Sequence, residues 1–264
     1  MPKSVSHDYE VYAKLSPNFF ADDAFPKPIV AALEGARGTF LDVGTGDGSK
    51  LRALYHAGLL AGFSRILATD FSQIRVERVG RVVPGVEAFV GDAENIGLPE
   101  GSVDFYYSDQ VIEHVPNDTN MARDAFRLLS AGGRAFIGSV LKSRFAWYYY
   151  RSNGRWTIDP THLREYNSER EYGSLFEKAG FKVERIVREP LVVPISDQIV
   201  RLMVRFKLAK ADSLSDLYKS ARFRMLRKLR IRIPGYFLIY AVLSKSSEKK
   251  GKGAAPEDET KGAF

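Results

Sequence analysis

The sequence has no cysteine, and this excludes three kinds of chemistry. Without thiols the chain can form no disulfide, build no thiolate metal site and use no cysteine nucleophile. Long hydrophobic runs are also lacking, since the longest strongly apolar stretch, 236–243, is far shorter than the roughly 20 residues that cross a bilayer. The N-terminus carries no secretory leader pattern. We therefore expect a cytoplasmic chain with no membrane span.

The sequence has fewer acidic than basic residues, and the excess of basic residues lies in one segment. The 264 residues carry a net charge of +7. Segment 201–232 holds 11 basic and 2 acidic residues, and the rest of the chain is slightly acidic. Basic and aliphatic residues alternate there, as in helices that lie on anionic membrane surfaces. We expect such a contact on the inner face of a membrane, with a substrate lid and an RNA-binding surface as the alternatives.

Short apolar runs alternate with longer amphipathic ones, which predicts an α/β fold. The predicted strands cover 39–43, 65–69, 86–90, 103–107 and 134–140, and the predicted helices cover 49–57, 72–82 and 119–129. Strand and helix in turn indicate a doubly wound, mostly parallel sheet with helices on both faces. Sheets of this kind bind ligands at the carboxyl ends of their strands.

The second half of the chain predicts a helix at 168–179 and strands at 181–188 and 236–243. The last strand is apolar enough to lie inside the sheet. We expect four parts: an N-terminal arm or lid over 1–30, a ligand-binding domain over 31–189 and 235–245, a basic helical insertion over 190–234, and a disordered tail over 246–264.

A glycine-rich turn between a strand and a helix is the strongest motif. It contains Asp42, Gly44, Thr45, Gly46 and Gly48. Glycines let a backbone turn tightly and approach a ligand closely. The dinucleotide fingerprint would need a third glycine where this chain has serine, and no Gly-Lys-Ser/Thr follows as a P-loop requires.

Polar residues follow the next three predicted strands in the same way. Asp70 and Phe71 end the second strand, Asp92 and Ala93 follow the third, and Ser108 and Gln110 follow the fourth. A carboxylate such as Asp70 can accept hydrogen bonds from both hydroxyls of a ribose. Asp42 as a turn residue and Asp70 as a helix N-cap are the alternatives.

These four segments together resemble the class I S-adenosylmethionine-dependent methyltransferases, in particular the methyltransferase type 11 and ubiquinone-biosynthesis branch. The resemblance implies a Rossmann-like, seven-stranded sheet and S-adenosyl-L-methionine as cofactor. It also implies a role for each segment. The glycine turn surrounds the methionine part of the donor, Asp70 binds the ribose, Asp92 and Ala93 bind the adenine, and the turn after the fourth strand faces donor and acceptor.

Two of the four histidines are candidates for catalysis. A hydroxyl acceptor must lose a proton, and histidine is the usual base near neutral pH. His114 follows the fourth strand, and His162 lies in a segment that lines the acceptor pocket of relatives. Organising a turn is the alternative role for His114, and a cap or loop role is the alternative for His162. Some quinone-type relatives place a metal-binding glutamate where this chain has Gln110, so we expect no metal.

Two motifs that would indicate particular classes of methyl acceptor are missing from the sequence. No Asn/Asp-Pro-Pro-aromatic turn, which nucleic-acid amino methyltransferases use to hold a base, follows the fourth strand, and the paired-glutamate loop of arginine methyltransferases is missing. We therefore expect O-methylation of a small-molecule, glycan or lipid acceptor, and we disfavour nucleic acid. An RNA-modifying methyltransferase that uses the basic insertion and a catalytically silent donor-binding protein are the alternatives. The sequence predicts no oligomeric state.

Overall fold

The computed structural model describes residues 24–148, 150–152, 154–205 and 221–247. Most of the expected N-terminal arm, the centre of the basic insertion at 206–220 and the expected tail from 248 onward lie outside the described residues. The predictions for those segments stay predictions.

Seven strands form one sheet, in the spatial order β3-β2-β1-β4-β5-β9-β8. Every neighbouring pair is parallel except the two pairs that involve β9, which runs antiparallel to both β5 and β8. This confirms the expected Rossmann-like, mostly parallel fold. The strands are β1 (Gly38–Val43), β2 (Phe63–Asp70), β3 (Glu87–Val90), β4 (Val103–Asp109), β5 (Leu129–Lys142), β8 (Lys182–Pro194) and β9 (Arg230–Ser244).

Helices cover both faces of this sheet, and each face has its own core. The helices are α1 (Ile29–Leu33), α2 (Ser49–His56), α3 (Gln73–Val82), α4 (Asp118–Leu128), α5 (Glu169–Ala179), α6 (Ile195–Arg205) and α7 (Ala221–Leu226). One core packs α1, α2 and α3 against one face, and the other packs α4 and α5 against the opposite face. The small hairpin of β6 (Tyr150–Ser152) and β7 (Arg155–Thr157) stands apart from the sheet.

Side-chain caps begin the longer helices as the sequence indicates. Ser168 caps α5 by accepting the backbone N–H of Glu171, and the helix ends at Gly180 with a φ of 106°. Ser72 and Asn117 cap α3 and α4 in the same manner. Each cap satisfies a backbone donor that would otherwise lack a partner, which fixes the position where the chain leaves the sheet edge.

Strands β8 and β9 are longer than the sequence predicts. Their pairing continues past Pro190 and Phe237 through Val192 with Arg232 to Pro194 with Arg230. Both ends of the expected helical insertion are therefore extended. The helical pattern hid this because the strand residues are partly solvated and alternate basic with aliphatic side chains. No helix within the described ranges is long and apolar enough to cross a membrane.

We predict that Phe176→Ala lowers the free energy of unfolding by about 3–5 kcal/mol, because it leaves a cavity in the core under α5. The Phe176 ring is fully buried and packs edge-on against Tyr172 at 5.0 Å. The measurement is urea unfolding followed by circular dichroism. Glu177→Ala, on the exposed side of the same helix, should change stability by less than about 0.5 kcal/mol. Equal losses would contradict the packing described.

Candidate active site

The glycine turn between β1 and α2 is built from left-handed backbone. Gly44, Gly46 and Gly48 have φ angles of 69°, 58° and 77°. A Cβ on Gly44 would lie 2.2 Å from Cγ2 of Val111, so the turn after β4 packs directly on the glycine turn. The backbone N–H groups of Gly44 and Thr45 donate to the Thr69 carbonyl at 2.8 and 3.0 Å. The turn is thus held against the end of β2 and the turn after β4.

Asp70 joins the glycine turn to the end of β2. One carboxylate oxygen accepts the N–H of Gly46 at 2.9 Å, and the other accepts the N–H of Ser72 at 3.0 Å. A carboxylate has about four acceptor positions, so two remain for hydroxyl donors. Burial raises the pKa of Asp70, and the two N–H groups and Arg75 work against that rise. Ser72, not Asp70, caps α3, so the capping alternative for Asp70 is wrong.

The ends of β2 and β3 lie side by side, which brings two carboxylates to one edge. Asp70 pairs with Val90, and the N–H of Gly91 donates to the Asp70 carbonyl at 3.1 Å. Asp92 is exposed, and one of its oxygens accepts the N–H of Glu94 at 2.9 Å. Phe71 is exposed, and Ala93 is partly buried against one of the two cores.

Asp42 lies inside β1 and is buried, which excludes the turn role considered for it. Burial raises the pKa of Asp42 to about 7, while Thr45 and Lys50 favour the charged form. Asp47 does occupy the turn, and its carboxylate pairs with Arg78 at 3.0 Å. The glycine turn thus combines a largely buried ion pair with a buried acid whose pKa is raised by burial.

Asp109 and Lys50 are site residues that the sequence analysis missed. Lys50, in the first turn of α2, forms an ion pair with one oxygen of Asp109 at the end of β4. The other oxygen of Asp109 is buried and has no hydrogen-bond partner among the described residues. The sequence contained a signal for Asp109, because this residue ends β4 in the same way as Asp70 ends β2.

Gln110 has the only positive φ of a non-glycine residue in the described part of the chain, at 64°. Its amide nitrogen is buried, and no described residue accepts a hydrogen bond from it. A buried donor without a partner at a strand end is a candidate ligand contact. Ser108 differs: it is fully buried, and its hydroxyl donates to the Val43 carbonyl at 3.0 Å inside the sheet.

His114 and His162 form a pair at this edge, with ring centroids 4.8 Å apart. The Nδ1 atom of His162 lies 3.3 Å from Oε1 of Glu165, and its Nε2 atom lies 3.9 Å from Oε1 of Glu113. Burial lowers the pKa of His162, but Glu165, Glu113 and Asp159 outweigh it, and the net shift is upward. His162 is nearly buried and His114 is half-buried.

The loop that carries His162 is fastened to the turn after β4. The side chain of Arg164 donates to the carbonyls of Ile112, Val115 and Pro116 at 2.5–2.9 Å. In return, the Glu113 carbonyl accepts the backbone N–H of Leu163 at 2.9 Å. The Nδ1 atom of His114 lies 3.2 Å from the Thr161 hydroxyl on the same loop. Both imidazoles are therefore positioned by one interlocked pair of loops, which excludes the helix-cap role for His162.

Three ligand-type side chains meet here. Glu113, His114 and His162 place one ligand atom each within 4.8 Å of one another, close enough for a divalent cation. The raised pKa of His162 opposes this use, because a metal binds only the neutral ring. Burial also raises the pKa of Glu113 to about 7. That no metal binds stays a prediction.

A family model for a methyltransferase domain matches residues 41–137, which run from the glycine turn through β5. Residues 41–137 are thus a methyltransferase domain, and the chain resembles the class I S-adenosylmethionine-dependent methyltransferases. Its cofactor is S-adenosylmethionine. A protein of Mycolicibacterium smegmatis named as an S-adenosylmethionine-dependent methyltransferase is 33% identical over 146 residues, which are 54% of this chain and 52% of that protein.

Two further relatives of this methyltransferase chain differ in acceptor. A 2-methyl-6-phytyl-1,4-hydroquinone methyltransferase of Oryza sativa is 30% identical over 151 residues, 56% of this chain and 42% of that protein. The structure of phosphoethanolamine N-methyltransferase 2 of Haemonchus contortus has a TM-score of 0.55 at 16% identity, covering 90% of this chain and 57% of that one. The second likeness shows the fold alone. This chain spans about half the length of the curated relatives it matches.

We predict that Asp42→Asn makes stability less dependent on pH. Because the folded pKa of about 7 exceeds the ordinary 3.8, the folded chain holds the Asp42 proton more tightly. The resulting stability is complete below about pH 4 and lost as the pH rises through 7. Between pH 5 and 8 the native chain should lose roughly 2–3 kcal/mol more than the variant.

Urea unfolding at both pH values measures this difference. Comparing the native chain with the variant cancels the contribution of every other titrating group. Parallel pH profiles would show that the folded chain does not lose the Asp42 proton between pH 5 and 8, and would contradict the raised pKa.

Proposed function

We propose that this chain transfers a methyl group from S-adenosylmethionine to a hydroxyl oxygen of a small-molecule, glycan or lipid acceptor. The observation that carries the proposal is the position of His114. It lies on the turn after β4, three residues beyond Val111, whose side chain packs on Gly44 of the glycine turn. An imidazole that can take up a proton is thus held beside the turn that we assign to the donor.

The donor contacts follow from the strand ends. Asp70 has acceptor positions left for the ribose hydroxyls after it has accepted two backbone N–H groups. Asp92 and Ala93 at the neighbouring strand end are assigned to the adenine.

The left-handed turn at Gly44, Gly46 and Gly48, with Asp42 and Thr45, is assigned to the methionine part of the donor. Phe71 borders the ribose, and Gln110 offers its unpaired amide N–H from the acceptor side.

S-adenosylmethionine, when bound, supplies an activated methyl group on a positively charged sulfur. The residues of the chain then have to orient a hydroxyl and remove its proton. His162 is the poorer candidate for the base, because Glu165 and Glu113 raise its pKa and lie at its two ring nitrogens. His114 is the better candidate: it is half-buried, and its Nδ1 atom is oriented by Thr161. We assign His114 as the base and His162 as a positioning residue.

The acceptor class is supported by the aromatic side chains of the loop after β5. Tyr148 is buried, while Phe145 and Trp147 on the loop after β5 are exposed. The same loop packs on β9, where a Cβ on Gly235 would lie 2.5 Å from Cα of Ala146. The aromatic loop thus combines packing residues with exposed rings that can contact an apolar or sugar-like acceptor.

We predict that Asp70→Ala weakens the binding of S-adenosylhomocysteine, the demethylated product, at least about 100-fold. The variant loses hydrogen bonds to a charged group, worth about 1.5–3 kcal/mol each. It also frees the Gly46 N–H and so loosens the glycine turn. Isothermal titration calorimetry measures the change. Glu87→Ala removes a carboxylate at the opposite end of β3 and should leave the affinity unaltered. Equal affinity of Asp70→Ala and the native chain would contradict the donor site.

We predict that His114→Ala lowers kcat by roughly 100- to 10,000-fold with donor affinity retained, as expected for a general base. His162→Gln should lower kcat less and shift the pH profile, because it removes a positive charge beside His114. Transfer of isotope-labelled methyl groups to cell extract measures both. Full activity of the His114→Ala variant would show that His114 is not the base. It would not contradict the proposed donor site.

The labelled extract also separates the rival functions. A silent binder should give heat with S-adenosylhomocysteine and label nothing, whereas an RNA methyltransferase should leave its label in RNA. Label in a lipid, glycan or small-molecule fraction, stable to mild acid and base, is the outcome expected for an ether product.

A further inference from the structure

The ends of β8 and β9 project beyond the edge of the sheet that carries the candidate active site. The last pair between β5 and β9 is Lys142 with Tyr236, and residues 230–232 pair only with β8. Strands β1, β2, β4, β5 and β8 all run in the same direction, since β9 is antiparallel to its two neighbours. The projecting ends therefore extend on the side of the glycine turn and the histidine pair.

Two contacts join α6 to residues 227–229, the short segment that connects α7 to β9. The Ile195 N–H donates to the Leu229 carbonyl at 2.9 Å, and Arg227 pairs with Asp197 at 3.3 Å. Tyr148, on the loop after β5, is hydrogen-bonded to Gln198 in α6. The projection is thus a packed structure joined to the active-site edge.

Large aliphatic side chains are nevertheless exposed on it. Met225 is 66% exposed and Leu229 is 60% exposed, far beyond what core packing allows. Together these side chains form what we call the projecting apolar surface, made of Val192, Ile199, Met225, Leu226, Leu229 and Ile231. Several large apolar side chains exposed at one end of a folded protein indicate a binding partner or a membrane.

Basic side chains flank this surface. Lys228, Arg230 and Arg232 are exposed and alternate along the chain with Leu229 and Ile231. The segment from 201 to 232, in which they lie, carries 11 basic and 2 acidic residues. An anionic partner is therefore required to complement the charge, and an apolar one to cover the aliphatic groups.

The aromatic loop after β5 lies at the same end of the molecule. The Ser143 N–H donates to the Gly235 carbonyl at 2.8 Å, which places the loop beside the start of the projection. Phe145 is 88% exposed and Trp147 is 60% exposed. Tryptophan and phenylalanine favour the headgroup region of a bilayer, where one side of the ring is apolar and the other is hydrated.

We propose that the projecting apolar surface docks on a bilayer that contains anionic lipids, with the active-site edge turned toward the membrane. Aliphatic side chains enter the headgroup and acyl boundary while Lys228, Arg230 and Arg232 contact the lipid phosphates. RNA fits less well, because aliphatic groups such as Met225 and Leu229 can neither stack on bases nor bond to their edges. The proposal does not depend on methyl transfer.

The test is sedimentation of the full-length protein with sucrose-loaded vesicles of phosphatidylcholine alone or mixed with phosphatidylglycerol. We expect binding to the mixed vesicles only, and weaker binding as salt rises. The double substitution Lys228→Glu with Arg230→Glu should lower the partition coefficient more than about tenfold. Met225→Ser with Leu229→Ser should also lower it, because the apolar insertion is lost.

The matched control is Arg81→Glu with Arg170→Glu, two exposed arginines on α3 and α5 that change the net charge equally. It should bind within about twofold of the native chain, because separated surface charges are screened. Circular dichroism and S-adenosylhomocysteine binding check that each variant folds. Equal losses in the control and in the Lys228 and Arg230 variant would overturn the proposal, as would no sedimentation with anionic vesicles and salt-dependent retention on RNA instead.

The orientation is tested with brominated phosphatidylglycerol. The chain has only two tryptophans, Trp147 and Trp156, and their rings are 6.0 Å apart on the active-site side. Bound vesicles should quench their fluorescence, and sedimentation without quenching would overturn the orientation.

Discussion

The hydrogen bonds that Asp70 accepts from Gly46 and Ser72 are the constraint on which the rest of the site depends. A glycine turn with three left-handed residues has many conformations available, and a carboxylate at a fixed strand end selects one. The same carboxylate sets the start of α3 through Ser72. The single side chain therefore fixes the shape of the glycine turn before any ligand binds, which reduces the entropy lost on binding.

Much of the fold was predictable, because the local sequence patterns agree with the strands and helices that form the structure. Apolar runs gave β1 to β5 within a few residues, and the helix predicted at 168–179 is α5. The projecting halves of β8 and β9 were missed. Their side chains alternate between partly solvated aliphatic and basic residues, and such a pattern is compatible with either a helix or a strand.

The candidate site was predictable where one residue type at a strand end has a clear chemical use, as for Asp70. The role of a site residue was less predictable where it depends on whether the side chain is buried. Asp42 and Ser108 lie within strands, and only the structure shows that one is an acid with a pKa of about 7 and the other donates inside the sheet. The pairing of Lys50 with Asp109 joins residues far apart in the chain, and no spacing rule reveals it. The same holds for the carboxylates that surround His162.

The left-handed backbone at Gln110 has a consequence for the selection of more stable variants. A side chain at that φ costs of order 1 kcal/mol or more, and glycine would remove the cost. A search for thermostable variants should therefore find glycine at this position. Such a variant would discard the buried amide and relax the turn next to the donor pocket, so heat resistance and turnover would move in opposite directions.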